Sequence, residues 1–180
     1  MLTIDITDAA TGFNMLAGWA KPETVADIGS GIRPQQIWPE ASTTRYDVWD
    51  YPGCRHLDLI VPLPELEADV ITMLDVIEHL PKQAGEKRLR EAIRAASLGV
   101  VVATPYGWHP QAPEDSPWPE DKANPNPYQA HLSGWEPREF EAAGCHILWR
   151  CLPDKGSPSR WRQGGWLLGW FPRPEDGGEE

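Results

Sequence analysis

Several acidic residues follow short apolar runs, at positions where a polar ligand could be held. Asp27 lies in Val25-Ala26-Asp27-Ile28 and is followed at once by Gly29-Ser30-Gly31. Glycines after a strand let a ligand approach the backbone, and a nearby carboxylate accepts from its polar groups; the same residues also suit a plain tight turn. Asp47 stands 20 residues beyond Asp27, near the end of the run Thr43 to Val48. One carboxylate there can accept from both hydroxyls of a ribose. Asp58-Leu59 follows a third short run in RHLDLIVPLP. That aspartate could accept from an adenine amino group while the leucine packs on the ring. Leu74-Asp75 ends ADVITML and opens LDVIEHLP, which adds Glu78 and His79.

Proton chemistry has its own candidates. His79, His109 and His131 are possible bases, with Tyr106 as an orienting hydroxyl. Glu78 and His79, with Asp75 one turn earlier and His131 from a later loop, supply ligand types that a divalent ion prefers. The expectation is nonetheless a metal-free site, with Glu78, His79 and His131 as the alternative. Cys54, Cys145 and Cys151 form no CxxC pair, so a disulfide framework or zinc site is not expected, and a cytoplasmic location is.

These residues need a scaffold that presents strand ends. Thr43 to Val48, Ala68 to Leu74 and Gly99 to Thr104 read as further strands. Between the last two, Gln83 to Ala96 places Ala84, Leu89, Ala92, Ile93 and Ala96 on one helical stripe. Continuous β-branched runs alternating with an amphipathic helix indicate a parallel sheet buried on both faces. Pro137 to Ala143 suits a short helix stopped by Gly144. Cys145 to Cys151 and Trp166 to Phe171 have no helix between them and should pair antiparallel. Seven prolines between Pro105 and Pro127 exclude a helix interior or central strand and predict a long ordered loop. Tyr106, Trp108, Trp118, Tyr128 and Trp135 in and beside it either form a stacking wall or staple the loop to the sheet.

The composition narrows the function classes. The 180 residues carry 16 Lys+Arg against 27 Asp+Glu, a formal balance of −11. Such a chain has no general attraction to nucleic acid or anionic lipid. Arg88, Arg90 and Arg94 read as the solvated face of a helix. No apolar stretch approaches the ~20 residues of a membrane helix, and Met1 to Asp5 lacks the features of a signal peptide. One domain over 1–174 is expected, with 105–135 as the acceptor-side loop and 175–180 as an acidic tail.

Taken together, VADIGSG at 25–31, RYDVWDYPG at 45–53, HLDLIVPLP at 56–64, ADVITMLDVIEHLP at 68–81 and VVVATPYG at 100–107 resemble the class I S-adenosylmethionine-dependent methyltransferases. NPYQAHLSGW at 126–135 and FEAAGCHIL at 140–148 extend the resemblance over nearly the whole chain. It implies an α/β fold, a Rossmann-like sheet of seven mostly parallel strands with an antiparallel C-terminal hairpin, in three αβα layers. It implies S-adenosyl-L-methionine as cofactor and a small-molecule acceptor. Asp27, Gly29, Ser30 and Gly31 would line the amino-acid portion, Asp47 would bind the ribose, Asp58 and Leu59 would frame the adenine, and Leu74-Asp75 would close the methionine side. The Glu78-His79 pattern with His131 is similar to that of metal-requiring small-RNA and ubiquinone-pathway O-methyltransferases. The chain departs from the family at Arg33, where many members have a third glycine, and Arg33-Pro34-Gln35-Gln36 makes the usual first helix short or irregular. Arg33 either reaches the cofactor carboxylate or is a surface residue.

Two other readings stand beside this one. A nicotinamide-dependent oxidoreductase would also use an acidic residue after the second strand, but Pro34 replaces the third glycine of GxGxxG and no Tyr-Lys pair is evident. A catalytically degenerate methyltransferase fold acting as a binding protein is the non-enzymatic alternative.

Overall fold

The computed structural model describes residues 1–6, 9–116, 126–152 and 165–174. Their elements run β1 (Leu2–Ile6), α1 (Ala9–Trp19), β2 (Thr24–Ile28), β3 (Ser42–Asp47), β4 (Arg55–His56), β5 (Val70–Leu74), α2 (Lys82–Ala95), β6 (Gly99–Pro105), α3 (Pro137–Ala142), β7 (Ile147–Cys151) and β8 (Trp166–Pro172). The strands form one sheet in the order β1-β7-β8-β6-β5-β2-β3-β4. Parallel pairing links β4, β3, β2, β5 and β6, and β8 runs antiparallel to both β6 and β7. Among the described strands, β8 alone is therefore reversed.

The central strands are apolar throughout because both faces are covered. In β6, Val100 and Val102 enter one cluster while Val101 and Ala103 enter the other. This alternation is the period-two geometry of a strand. Leu89, Ala92 and Ile93 of α2 and Phe140 of α3 pack on the first face. Leu16 of α1, Trp149, Trp166, Leu168 and Trp170 pack on the second. The result is three layers. Gly169 of β8 lies beneath the Phe140 ring, where a Cβ would come within 2.6 Å of the ring edge. A side chain there would lift α3 off the sheet.

Three expectations need correction. The sheet has eight strands, not seven, because Leu2–Ile6 adds an edge strand parallel to β7. Its residues are largely exposed, so no buried apolar run announced it, and the Arg150–Asp5 pair at 2.9 Å helps fix its register. The helix α1 was also unforeseen, since it contains two glycines and no acidic residue in its first turn. Finally, Arg88 is not solvated: it is 3% exposed and donates to the Val61 carbonyl (2.7 Å) and Glu91 (2.6 Å).

Between β2 and β3 the chain forms turns and bends with no helix. Gln35 organises this stretch. Its side-chain oxygen accepts from the Ile37 and Trp38 amides at 2.7 and 3.1 Å, and its amide donates to Thr43 Oγ1 and the Trp38 carbonyl at 3.3 Å. Ile37 and Trp38 then cover the α1 face of the sheet, with the Trp38 indole donating to the Ala20 carbonyl at 2.7 Å. No helix among the described residues is long and apolar enough to cross a membrane. The turn-rich span 153–164, Trp118 and the acidic tail 175–180 lie outside the described residues.

Candidate active site

A cavity of about 420 Å³ opens at the carboxyl ends of β2, β3 and β5. Open α/β sheets bind ligands at this edge. Of the residues expected to hold a cofactor, Asp27, Gly29, Ser30, Gly31, Asp47, Leu74 and Asp75 line it. Gly29 has φ +70, and a Cβ there would come within 2.3 Å of a Val76 methyl. The β2 turn therefore packs directly against the turn that follows β5. Only glycine combines that conformation with that approach.

Asp27 and Asp47 hold the loop as well as facing the cavity. Asp27 accepts from Thr72 Oγ1 at 2.6 Å and from the Gln35 amide at 2.9 Å. Asp47 accepts from the Gly31 amide at 2.9 Å and the Trp49 amide at 2.8 Å. Burial pushes the Asp47 carboxyl upward, with the amide hydrogen bonds opposing it. The Val48 amide also donates to this carboxylate, which still keeps acceptor capacity for a ligand hydroxyl. Arg45 ties the loop to β3 by donating to Ser30 Oγ at 2.9 Å and to the Gly31 carbonyl.

Asp58 and Leu59 do not line the cavity. Asp58 turns back to accept from the Ile60 amide at 2.9 Å, and Leu59 is 6% exposed within the core. The wall instead includes Phe13 and Asn14 of α1, together with Tyr51, Gln111 and Gln129. Phe13 and Asn14 carried no recognisable signal, because α1 itself was not anticipated. Tyr51 sits beside Asp50 in the segment that closes β3, and its hydroxyl accepts from the Asn126 amide at 3.3 Å. That contact links the segment to the end of the proline-rich loop.

The far corner of the cavity is built by a different device. After β5 the chain makes a turn through Asp75, at φ +55, and a single 3₁₀ turn at Ile77–His79. Residues 130–135 are stitched to that turn. The Leu132 and Ser133 amides donate to the Glu78 carbonyl at 2.7 and 3.0 Å, and Ser133 Oγ donates to the Ile77 carbonyl at 3.1 Å. This clamp brings His131 beside His79, with ring centroids 4.8 Å apart. His109 stands behind, 6.0 Å from His131. Among the three histidines, only His79 lines the cavity.

One ring nitrogen of each inner histidine already has a partner. His79 Nδ1 lies 3.1 Å from the Ala130 carbonyl, and His131 Nδ1 lies 2.6 Å from the His109 carbonyl. A carbonyl can only accept, so both Nδ1 atoms carry the proton and both Nε2 atoms present a lone pair. Among the described residues, none is a hydrogen-bond partner for the buried His131 Nε2 or Glu78 Oε1. Ligand atoms of Glu78, His79 and His131 lie within 4.8 Å of one another. Burial, reinforced by His131, pushes the His79 imidazole down to about 4, and burial also lowers His131. Both rings are therefore neutral near pH 7. Asp75 is open to the cavity but ringed by protein, and this burial pushes its carboxyl up to about 6. Glu78 is raised well above its ordinary value by burial first and then by the neighbouring Asp75 charge.

Tyr106 does not line the cavity; its backbone bridges to Trp135. Trp135 is a core residue, 1% exposed, with the Lys82 ammonium 3.5 Å above its ring centroid. Trp108 and Tyr128 are exposed, with Tyr128 edge-on to Trp49.

No family model and no curated protein matches the chain. Solved structures do. The N-methyltransferase NodS from Bradyrhizobium japonicum WM9, in complex with S-adenosyl-L-homocysteine, superimposes with a TM-score of 0.58 at 12% identity, over 92% of this chain and 85% of NodS. The fold is that of the class I methyltransferases. An O-methyltransferase family protein from Burkholderia thailandensis aligns at 11% identity and TM-score 0.50, over 92% of this chain. The chain spans 57% of that protein's length. Relative to the methyltransferase fold expected from sequence, β1 is an added rim and the first helix is replaced by the Gln35-centred segment.

Proposed function

We propose that this chain is an S-adenosylmethionine-dependent methyltransferase acting on a small-molecule acceptor. The observation that carries this reading is the cavity at the β2, β3 and β5 ends, with Asp47 at the tip of β3 beside the glycine turn. Asp47 would accept from a ribose hydroxyl with its remaining acceptor capacity. Gly29 and Gly31 leave room along the backbone, and Leu74 and Asp75 flank the methionine side. The bound cofactor supplies an electrophilic methyl group, so the protein mainly aligns a nucleophile with it. Where the acceptor must lose a proton, the neutral His79 faces the cavity and is placed to receive it, with His131 and His109 behind. Tyr106 does not line the cavity.

A metal-assisted version is favoured by one observation, the buried acceptors Glu78 Oε1 and His131 Nε2 beside His79, both unpartnered among the described residues. Two imidazoles with fixed Nδ1 protons and a carboxylate are a ligand set suited to a divalent ion. Ligands that share one ion lie at most roughly 4.4 Å apart, so the trio would need only a small inward shift. A divalent ion there would lower the acidity threshold of an acceptor hydroxyl.

Calorimetric titration tests the main reading. S-adenosylhomocysteine should bind one to one, and NAD should give no heat. The reverse pattern would favour the oxidoreductase. Binding without methyl transfer to any acceptor in a broad panel would favour a non-catalytic protein.

A further inference from the structure

We propose that this chain self-associates through β1, whose outer edge pairs antiparallel with the same edge of a second copy and joins two sheets into one. β1 closes one end of the sheet. The Leu2 amide donates to the His146 carbonyl at 2.8 Å, in a parallel register that runs unbroken from Leu2 to Ile6. Backbone groups alternate sides along a strand, so Leu2, Ile4 and Ile6 turn theirs to β7 while Thr3 and Asp5 turn theirs outward. Among the described strands, none pairs with that outer side. The devices that usually guard an edge are missing from it. β1 has no proline, no lysine and no bulge, and its single charge, Asp5, is matched by Arg150 at 2.9 Å. The opposite end of the sheet is guarded, because β4 is only two residues long.

The occupant is a second copy because the strand is complementary to itself. With a two-fold axis at Ile4, all 5 residues of β1 are matched. Leu2 faces the partner's Ile6, Ile4 faces the partner's Ile4, and Thr3 faces the partner's Asp5. Thr3 and Asp5, as the outward-turned residues, then exchange both backbone hydrogen bonds on each side of the axis. On one face the pairs are all apolar and extend the cluster that Ile4 and Ile6 already join. On the other, each Asp5 meets a threonine hydroxyl rather than a like charge. An axis at Asp5 would set two carboxylates opposite each other, and one at Thr3 would leave both Asp5 residues without a counterpart. The contact also covers apolar surface, since Leu2 is 58% exposed and Met1 beside it 42%.

Sedimentation equilibrium across micromolar concentrations should show the wild-type chain passing from monomer to dimer. T3P removes an outward N–H that bonds nothing within one copy and places a ring on the shared edge, a position where an edge strand tolerates proline. It should weaken self-association about tenfold or more, with folding checked by thermal melting at dilution. If T3P does not fold, L2K serves instead: Leu2 is exposed, and a lysine there removes an apolar pair at each end of the contact. Cysteine cross-linking reads the register. At a non-hydrogen-bonded antiparallel pair the Cα atoms stand about 4.5 Å apart, within reach of a disulfide. Under mild oxidation I4C should therefore form a covalent dimer. L2C, whose copies lie roughly 13 Å apart along the strands, should not, and neither should the wild type, whose Cys145 and Cys151 are buried. A wild-type chain that stays monomeric at every concentration overturns the proposal and leaves the edge to another strand-donating partner. A dimer that the folded variants leave intact, or that L2C cross-links as readily as I4C, overturns it as well.

Discussion

The two ends of the cavity are built on opposite terms. At the glycine end the carboxylates of Asp27 and Asp47 each have at least two protein donors, and Arg45 ties the loop to β3. At the histidine end, Glu78 and His131 each bury an acceptor with no partner among the described residues, and Asp75 stands close enough to raise Glu78 further. The first end is assembled before any ligand arrives. The second carries a standing cost, since a buried polar atom left unmatched costs about 1–3 kcal/mol.

The sharpest way to break this contrast is at Asp47. D47A should weaken S-adenosylhomocysteine binding by ~10–100-fold, since it removes a charge-assisted acceptor worth about 1.5–3 kcal/mol. Unchanged affinity in a calorimetric titration would mean that the prearranged end is not the nucleoside end.

At the other end the expected change has the opposite sign. E78Q should stabilise the protein at pH 7.5 in chelated buffer by about 1–2 kcal/mol, or ~2–8 °C in Tm, because it removes a carboxyl whose ionisation burial and Asp75 oppose in the folded state. Both carboxyls are raised in the folded protein, so the native state holds protons that the unfolded chain has released. Stability conferred at low pH therefore falls as pH rises from the unfolded values near ~4, through about 6 for Asp75 and beyond for Glu78. Thermal melts from pH 5 to 8 should show the Tm advantage of E78Q over wild type growing with pH, since the opposing contribution of the lowered histidines is common to both proteins. Added manganese should raise the wild-type Tm more than that of E78Q; equal shifts would argue against a metal at this corner. The smallest effect on binding is expected at Thr72. T72V removes one donor from buried Asp27 and should cost about 1–3 kcal/mol in denaturant unfolding, while nucleoside affinity changes only a few-fold.

The same contrast explains what could be read without coordinates. Strands β2, β5 and β6 are legible because burial on both faces demands continuous apolar runs, and the glycine turn follows from its place after one of them. Asp27, Asp47, Leu74 and Asp75 sit at strand ends, so placing the strands places them. Asp58 and Leu59 follow a strand of only two residues, too short to fix where the next side chains point. Their exclusion from the cavity depends on a turn closed by Asp58 itself. Gln35 was invisible as a hub because a buried glutamine has no periodicity and serves whatever backbone surrounds it. The nearness of His131 to His79 depends on amides donating to one carbonyl across more than 50 positions of chain, a contact no local pattern encodes. The edge strand β1 escaped for the plainest reason. Exposed on most of its length, it needs no apolar signature, only a neighbour with an open edge.

That neighbour has a bearing on how the chain reaches its native form. Leu2 aligns with Ile147, and the Asp5–Arg150 pair joins positions 145 apart. β1 must wait for a strand some 145 positions further along the chain before its own hydrogen bonds can close. Contacts of such high order slow folding and leave an unpaired edge exposed meanwhile. Docking of β1 should accordingly be among the late events of refolding, after the inner strands have already found one another.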